Sequence, residues 1–391
     1  MGSVNRSIPS RRFCLLGALL LLSLIFCGSA SAQLFDTRAG QAFLMDGETG
    51  TILFAKNADE PVPPASLAKL MTMELVFQSL KAGRLSLVDT FTVSENAWRT
   101  GGAISGSSTM FAELGSSIRL EDLIKGVIVQ SGNDACIIIA EGMAGSEENF
   151  AQLMTERARE LGLEVSTFGN STGLPHPDSQ VTMRELVQLS RYIYRTYPDY
   201  YRFYSIPSFT WNGIRQNNRN PLLDAEMGVD GMKTGFTEES GYAIVSSMEK
   251  NGRRLFLAMS GMESEQERAE EARKILQWGM RAFERQQLFA AGEVVGRASV
   301  YGASGDLPLT ANEPIDIFVP TANKDRLTAR IIYDWPLSAP VEEGRQVGHM
   351  RVWIGETLSQ ETPLYAAESV EKGPIHRRAL DALQELMLFW L

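Results

Sequence analysis

An α+β body followed by a β-rich part is the fold class that the sequence predicts, and three observations predict it. Paired apolar runs around turn residues open the body and return near its end, and helical periodicity fills the stretch between them. Beyond Phe289, short β-like runs alternate with Gly, Pro, Asn and Asp. At 391 residues, 44% of them hydrophobic and 21% charged, the chain is globular and long enough for about two domains of ordinary size.

The first 32 residues read differently. Arg6, Arg11 and Arg12 precede the apolar run Cys14 to Cys27, and Ala30-Ser31-Ala32 supplies the small residues of a cleavage site. That run is shorter than the roughly 20 residues a spanning helix needs. The expectation is a secretory signal peptide cut before Gln33, and hence an exported chain. Ser10-Arg11-Arg12-Phe13 resembles a twin-arginine signal only weakly, and bulky Phe26 before Cys27 does not suit a lipoprotein. Cys14 and Cys27 leave with the signal, so Cys136 is alone and no intramolecular disulfide can form. The net charge is −10, and losing three arginines makes the mature chain more acidic still, which does not suit a nucleic-acid partner.

Gln41 to Asp46 and Thr51 to Lys56 flank Gly47-Glu48-Thr49-Gly50 and read as a β-hairpin. Pro63-Pro64 halts the chain. From Ser66 a helix is expected through Leu67, Leu70, Met71, Leu75 and Val76 to about Gly83. Leu120 to Val129 and Asp134 to Met143 are two further helical patterns, with Ser131-Gly132-Asn133 as the loop between them. Gly241 to Met248 and Arg254 to Gly261 surround Asn251-Gly252, a strong two-residue hairpin signal, with Lys233-Thr234-Gly235 just upstream. A charged helix is expected from about Glu263 to Gln287, and then strands in VVGRASVYG, IDIFVP, RLTARIIYDW and GHMRVWIG.

The resulting division is 1–32 signal peptide, 33–288 α+β domain, 289–372 β-rich domain and 373–391 amphipathic helix. In that last segment Ile375, Ala379, Leu383, Leu386, Met387 and Trp390 share one face, with Arg378, Asp381 and Glu385 opposite. A short charged helix of this kind lies on a membrane surface better than across one. Packing on the preceding domain, or self-association, is the other reading of that stripe.

A serine hydroxyl is a weak nucleophile until a base takes its proton. The three histidines offer no marked triad: His349 and His376 lie in the β region and the tail, and His176 reads as a lone solvated or core residue. Lysine can be the base if burial or nearby positive charge lowers its pKa. Ser66 and Lys69 stand three apart on one helix and therefore share a face. Backbone N–H groups at the helix start could stabilise an oxyanion. The competing reading of Ser66 is a helix N-cap. Ser247-Met248-Glu249-Lys250 repeats the spacing, but on a strand, where alternation parts the two side chains.

The company of Ser66 favours the nucleophile. Ser131-Gly132-Asn133 and Lys233-Thr234-Gly235 follow in order, and a chance Lys-Thr-Gly is expected in roughly one chain in ten of this length. Ser-x-x-Lys, Ser-x-Asn and Lys-Thr-Gly together form the signature of penicillin-binding proteins and serine β-lactamases. From about Gln41 to Phe283, and in its β domain and amphipathic tail, the sequence resembles the membrane-attached low-molecular-mass D-alanyl-D-alanine carboxypeptidases.

That resemblance implies a helical cluster packed on an antiparallel sheet, and acyl transfer between Ser66 and the terminal D-Ala-D-Ala of peptidoglycan stem peptides. It implies Lys69 as proton acceptor, Ser131 as proton relay, and Asn133 holding the substrate amide and Lys69. Lys233 would supply positive potential, Thr234 of Lys233-Thr234-Gly235 and Arg268 would bind the terminal carboxylate, and the N–H groups of Ser66 and Phe236 would form the oxyanion hole. Phe236 departs from relatives with histidine there, which bears on substrate preference. β-Lactams are expected as covalent inhibitors, and the periplasmic side of the cytoplasmic membrane as the location.

A β-lactamase is the nearest alternative. Glu185 and Leu186 in TMRELVQLS do not reproduce the Glu-x-x-Leu-Asn pattern that class A enzymes use for deacylation. A non-catalytic β-lactam receptor is the second alternative. The sequence carries neither metal-ligand spacing nor a glycine-rich phosphate loop, and no cofactor is expected.

Overall fold

The alternation in QAFLMD points side chains to two faces, and both are buried. Gln41–Asp46 (β1) sends Phe43 and Met45 into the main helical core and Leu44 to the opposite face. In the computed structural model, which describes residues 35–374 apart from 224–225, 304, 323–326 and 334, β1 pairs antiparallel with Ile52–Lys56 (β2) and with a later hairpin. The expected signal peptide and the tail from residue 375 lie outside the described residues.

The longer helices between the strands are Lys69–Lys81 (α1), Leu120–Val129 (α2), Asn133–Ala144 (α3), Glu147–Glu160 (α4) and Met183–Thr196 (α5). Most of α1 is buried, as suits a helix at the centre of a cluster. The sheet is completed by Val229–Thr237 (β3), Gly241–Lys250 (β4) and Arg253–Met262 (β5), in the order β2-β1-β5-β4-β3 with every neighbour antiparallel. The β4–β5 turn places Asn251 at φ 54° and Gly252 at φ 75°, the pair of left-handed residues that a tight hairpin of this hand requires. Because β3 is the last strand, one of its edges is free to face the helices.

Glu265–Arg281 (α6) packs on the face of the sheet that holds Leu44 and Leu255, which meet at Gly279. The helix expected to reach Gln287 stops here, and Phe283–Phe289 (β6) is a strand. Glu284, Arg285, Gln286 and Gln287 are good helix formers, but tertiary pairing overrides that local preference. β6 gains an antiparallel partner in Ile315–Pro320 (β9), and Phe283 stacks edge-on against Trp278, 4.9 Å between ring centres. Five strands, Val294–Ala298 (β7), Leu307–Thr310 (β8), Leu327–Tyr333 (β10), Gln346–Ile354 (β11) and Thr357–Ala366 (β12), form a second sheet in the order β7-β8-β12-β11-β10. This part has its own apolar core around Leu307, Leu309, Ile315, Ile317, Val352 and Leu364.

Polar bonds join it to the first hairpin. Thr51 Oγ1 donates to Gln360 Oε1 at 3.0 Å and accepts from the Phe318 N–H at 3.2 Å, and Ser359 Oγ donates to the Ile52 carbonyl at 3.0 Å. The Arg253 guanidinium lies 3.6 Å from the centre of the Phe318 ring while pairing with Asp46 at 3.0 Å. Among the described residues no helix is long and apolar enough to cross a membrane.

Candidate active site

Ser66 lies in a 3₁₀ turn, Ala65–Ala68, that leads directly into α1. Its side chain makes no capping bond. It accepts instead from Lys69 Nζ at 2.9 Å, so the N-cap reading fails. Ala65 sits at φ 48°, a left-handed conformation uncommon outside glycine. That conformation is held from two sides. A Cβ on Gly173 would fall 1.7 Å from the Ala65 carbonyl oxygen, and one on Gly235 would fall 3.3 Å from the Ser66 nitrogen. Only glycine lets the Gly173 loop and β3 approach the serine turn so closely.

Lys69 is 1% exposed. Burial, which penalises the charged form, lowers its pKa to about 8; the Arg219 guanidinium pushes the same way, while the carboxylates of Glu147 and Asp134 oppose the fall. Nζ also donates to the Thr172 carbonyl at 2.5 Å, which fixes where the nitrogen points. The loop that carries Thr172 is strapped to the helices. Thr72 Oγ1 donates to the Ser171 carbonyl at 2.7 Å, Ser171 Oγ donates to Glu147 at 2.7 Å, and Asn170 Oδ1 accepts from the Gly173 N–H at 2.7 Å. A buried, oriented and partly neutral amine bonded to a hydroxyl has the chemistry to accept that hydroxyl's proton.

Ser131 is not in ordinary loop geometry: its φ is 63°, and its buried Oγ has no partner among the described residues. Asn133 is the first residue of α3 rather than a loop residue. Its Nδ2 donates to Ser107 Oγ at 3.0 Å, while Oδ1 is buried without a partner. Asp134, fully buried, accepts from the Met110 and Ala112 N–H groups at 2.9 and 3.0 Å and from Thr109 Oγ1 at 2.6 Å. These bonds tie residues 109–112 to the start of α3. Two orphaned buried oxygens on neighbouring elements are costly unless something polar joins them, so this loop is arranged for a ligand.

Lys233, Thr234 and Gly235 lie within the edge strand β3, and Lys233 and Thr234 are buried. Lys233 Nζ donates to the Thr234 carbonyl at 2.9 Å. Burial depresses its pKa well below the ordinary lysine value, and the positive charges of Lys69, Arg219 and Arg268 add to the fall. Arg268, on α6, is 5% exposed, its Nε is unpartnered, and its guanidinium lies 5.6 Å from the Tyr242 ring. Burial lowers its pKa as well, opposed by Glu265. Phe236 is 51% exposed and stacks on Tyr242 with ring centres 4.4 Å apart. The site therefore has a cationic end that carboxylates would neutralise.

Sequence reasoning missed Arg219 and the Asn170-Ser171-Thr172 strap. Arg219, an exposed residue just beyond the short strand Ile214–Asn217, acts on Lys69, Lys233 and Arg268 through its charge, yet no motif surrounds it. The NSTG stretch was visible, but its bond to Lys69 spans 103 positions. Glu185 takes no part in this cleft: its carboxylate accepts from the Val165 and Ser166 N–H groups at 2.8 and 2.7 Å. Cys136 is buried, with its thiol pushed up to about 12 by burial, so it stays neutral. At the other Ser-x-x-Lys match, Ser247 is buried and bonded to Arg254 while Lys250 is exposed. His176 is half-exposed, with Nδ1 accepting from the Asp178 N–H at 3.2 Å. Among the described residues no group of side chains could hold a metal ion.

Comparison with known proteins agrees with the two-part fold. Residues 28–264 match the D-alanyl-D-alanine carboxypeptidase family, and residues 283–372 match the C-terminal domain of penicillin-binding protein 5. The chain is 38% identical over 357 residues to D-alanyl-D-alanine carboxypeptidase DacC of Escherichia coli K12, covering 90% of this chain and 89% of that protein. It is 37% identical over 350 residues to DacD of Salmonella typhimurium, covering 88% of this chain and 90% of that protein. The crystal structure of penicillin-binding protein 5 from Haemophilus influenzae superposes with a TM-score of 0.73 at 34% identity, over 86% of this chain and 99% of that one. This chain belongs to the D-alanyl-D-alanine carboxypeptidase family of serine peptidases, penicillin-binding enzymes that act on the D-Ala-D-Ala peptides of peptidoglycan.

Proposed function

We propose that this protein removes the terminal D-alanine of peptidoglycan stem pentapeptides through an acyl-enzyme on Ser66. The observation that carries the assignment of roles is the 2.9 Å bond from Lys69 Nζ to Ser66 Oγ in a buried site. In this reading neutral Lys69 takes the Ser66 proton as Oγ attacks the carbonyl between the two D-alanines. The oxyanion is held by the Ser66 and Phe236 N–H groups. Ser131 passes a proton to the departing amine as the C–N bond breaks, and its unpartnered Oγ is free for that task. Asn133 holds the substrate amide, and Lys233, Thr234 and Arg268 receive the terminal carboxylate. Water then hydrolyses the ester. Penicillin would acylate Ser66 by the same attack and leave slowly.

The finer placement is also our reading. Residues 1–32 act as an export signal, the part that ends with α6 forms the catalytic domain, and the β-rich part that begins with β6 is a spacer or platform. The tail from residue 375 acts as a surface anchor on the periplasmic face of the cytoplasmic membrane. The amphipathic pattern of that tail supports it, and membrane retention unchanged by deleting residues 375–391 would defeat it.

The test of the activity is release of free D-alanine from diacetyl-L-Lys-D-Ala-D-Ala, with Ser66→Ala and a penicillin-blocked sample alongside. Release abolished in both controls is expected. Stable Ser66 acylation without any release would point to a receptor, and rapid penicillin turnover to a β-lactamase.

A further inference from the structure

A groove of about 650 Å³ opens beside Phe236 and Thr237, immediately after the Gly235 backbone that meets the Ser66 turn. One wall is the loop of Gly173, Leu174 and His176, and the floor is Pro63-Pro64 just before the serine turn. Phe236 and Leu174 are 51% and 38% exposed, so the groove presents apolar surface to solvent. Its rim carries Glu238 and Glu239, both exposed and neither in an ion pair among the described residues. No lysine or arginine lines it.

The polarity of the cleft is thus uneven. Lys69, Lys233, Arg219 and Arg268 share one field on the side where buried polar atoms of Ser131, Asn133 and Arg268 lack partners. Past Phe236 the charge turns negative. A peptide lying extended beside the free edge of β3, with its terminal carboxylate among the cations and its scissile carbonyl at Ser66, runs toward the groove with its remaining residues. Successive side chains of an extended peptide alternate in direction. The residue before the acylated D-alanine is the first whose long side chain can enter the groove. An aliphatic stem would lie on Phe236 and Leu174, and an amine at its tip would meet the glutamates.

Resting on the Ser66 reading above, we propose that this groove is a specificity subsite for the third residue of the stem peptide. The Glu238–Glu239 rim selects a side chain that ends in a free amine over one in which that amine is acylated. A free amine is found in uncrosslinked stems, and an acylated one in stems already joined through that nitrogen. The enzyme would therefore trim uncrosslinked chains in preference to crosslinked ones.

The experiment compares kcat/KM of the full-length chain for Nα-acetyl-L-Lys-D-Ala-D-Ala and for the Nα,Nε-diacetyl peptide, at low and at 0.5 M salt. Alongside runs the Glu238→Gln/Glu239→Gln double variant, whose fold is checked by penicillin labelling of Ser66. Exposed charge pairs of this kind support a preference of about 1.5- to fivefold for the free amine. High salt should shrink that preference, and the double variant should bring the ratio close to one. Equal cleavage of the two peptides, or a preference that survives the double variant, overturns the subsite while leaving the carboxypeptidase reading intact. Cleavage of neither peptide overturns both.

Discussion

Lys69 Nζ donates to Ser66 Oγ at 2.9 Å from a side chain that is 1% exposed. Burial is the main reason its pKa falls to about 8, and the sign of the consequence follows. With neutral Lys69 as the base we propose, proton loss activates the site and acylation is expected to rise with pH. At pH 7 about a tenth of the enzyme holds neutral Lys69. The rate constant for penicillin acylation should therefore climb close to tenfold per pH unit below about 7 and level off above about 8. Stopped-flow acylation between pH 6 and 10 measures it, and a flat profile over that range would exclude Lys69 as the base.

Lys69→Arg should abolish both acylation and peptidase activity, because arginine keeps its charge at every accessible pH and offers no neutral base. A loss of at least about a thousandfold is expected, comparable to removing a nucleophile's partner in other serine enzymes. Mass spectrometry of penicillin-treated protein reads the acylation, and thermal unfolding reports whether the buried substitution is tolerated. A folded, acylating Lys69→Arg enzyme would contradict the mechanism.

Gly173→Ala tests how the serine turn is held. The new Cβ would fall 1.7 Å from the Ala65 carbonyl oxygen, at a residue whose φ is 77°. The loop must then retreat, taking the Thr172 carbonyl away from Lys69. A stability loss of about 2 kcal/mol and a steep fall in penicillin labelling are expected. Gly162→Ala is the control: its φ is 75°, but nothing lies within 4 Å. It should cost about 1 kcal/mol of stability and leave labelling intact. Equal labelling in both variants would detach Gly173 from the site.

What could be read from the sequence was what is local. The two hairpins, the helix at Leu120–Val129 and the Ser66–Lys69 pair each announce themselves by a period or a spacing within about a dozen residues. Phe283–Phe289 does not, because its residues favour a helix and only Ile315–Pro320, distant in sequence, makes them a strand. The 3₁₀ turn at Ser66 likewise depends on Gly173 and Gly235 pressing on it from other elements. Asn133 proved helical by one residue, within the usual uncertainty of helix ends. Arg219 carries no local signal at all, since its effect is a charge felt through space by three cations from separate elements.

Arg268 and Arg219 should fail in different ways. Arg268 is buried with an unpartnered Nε, which suits a group awaiting a carboxylate. A hydrogen-bonded charge pair contributes roughly 1.5–3 kcal/mol. Arg268→Ala should therefore lower kcat/KM for a peptide ending in free D-alanine by about 10- to 100-fold, and that for the C-terminal amide by much less. Arg219 acts on Lys69 through its positive charge, which lowers the lysine pKa. Removing it by Arg219→Ala should raise that pKa, so the rising limb of acylation moves to higher pH while Arg268 still discriminates acid from amide. Peptide kinetics with the acid and amide pair, joined to a penicillin pH profile for each variant, separate the two effects. Arg268→Ala shifting only the pH limb, or Arg219→Ala erasing only the acid preference, would exchange the two roles.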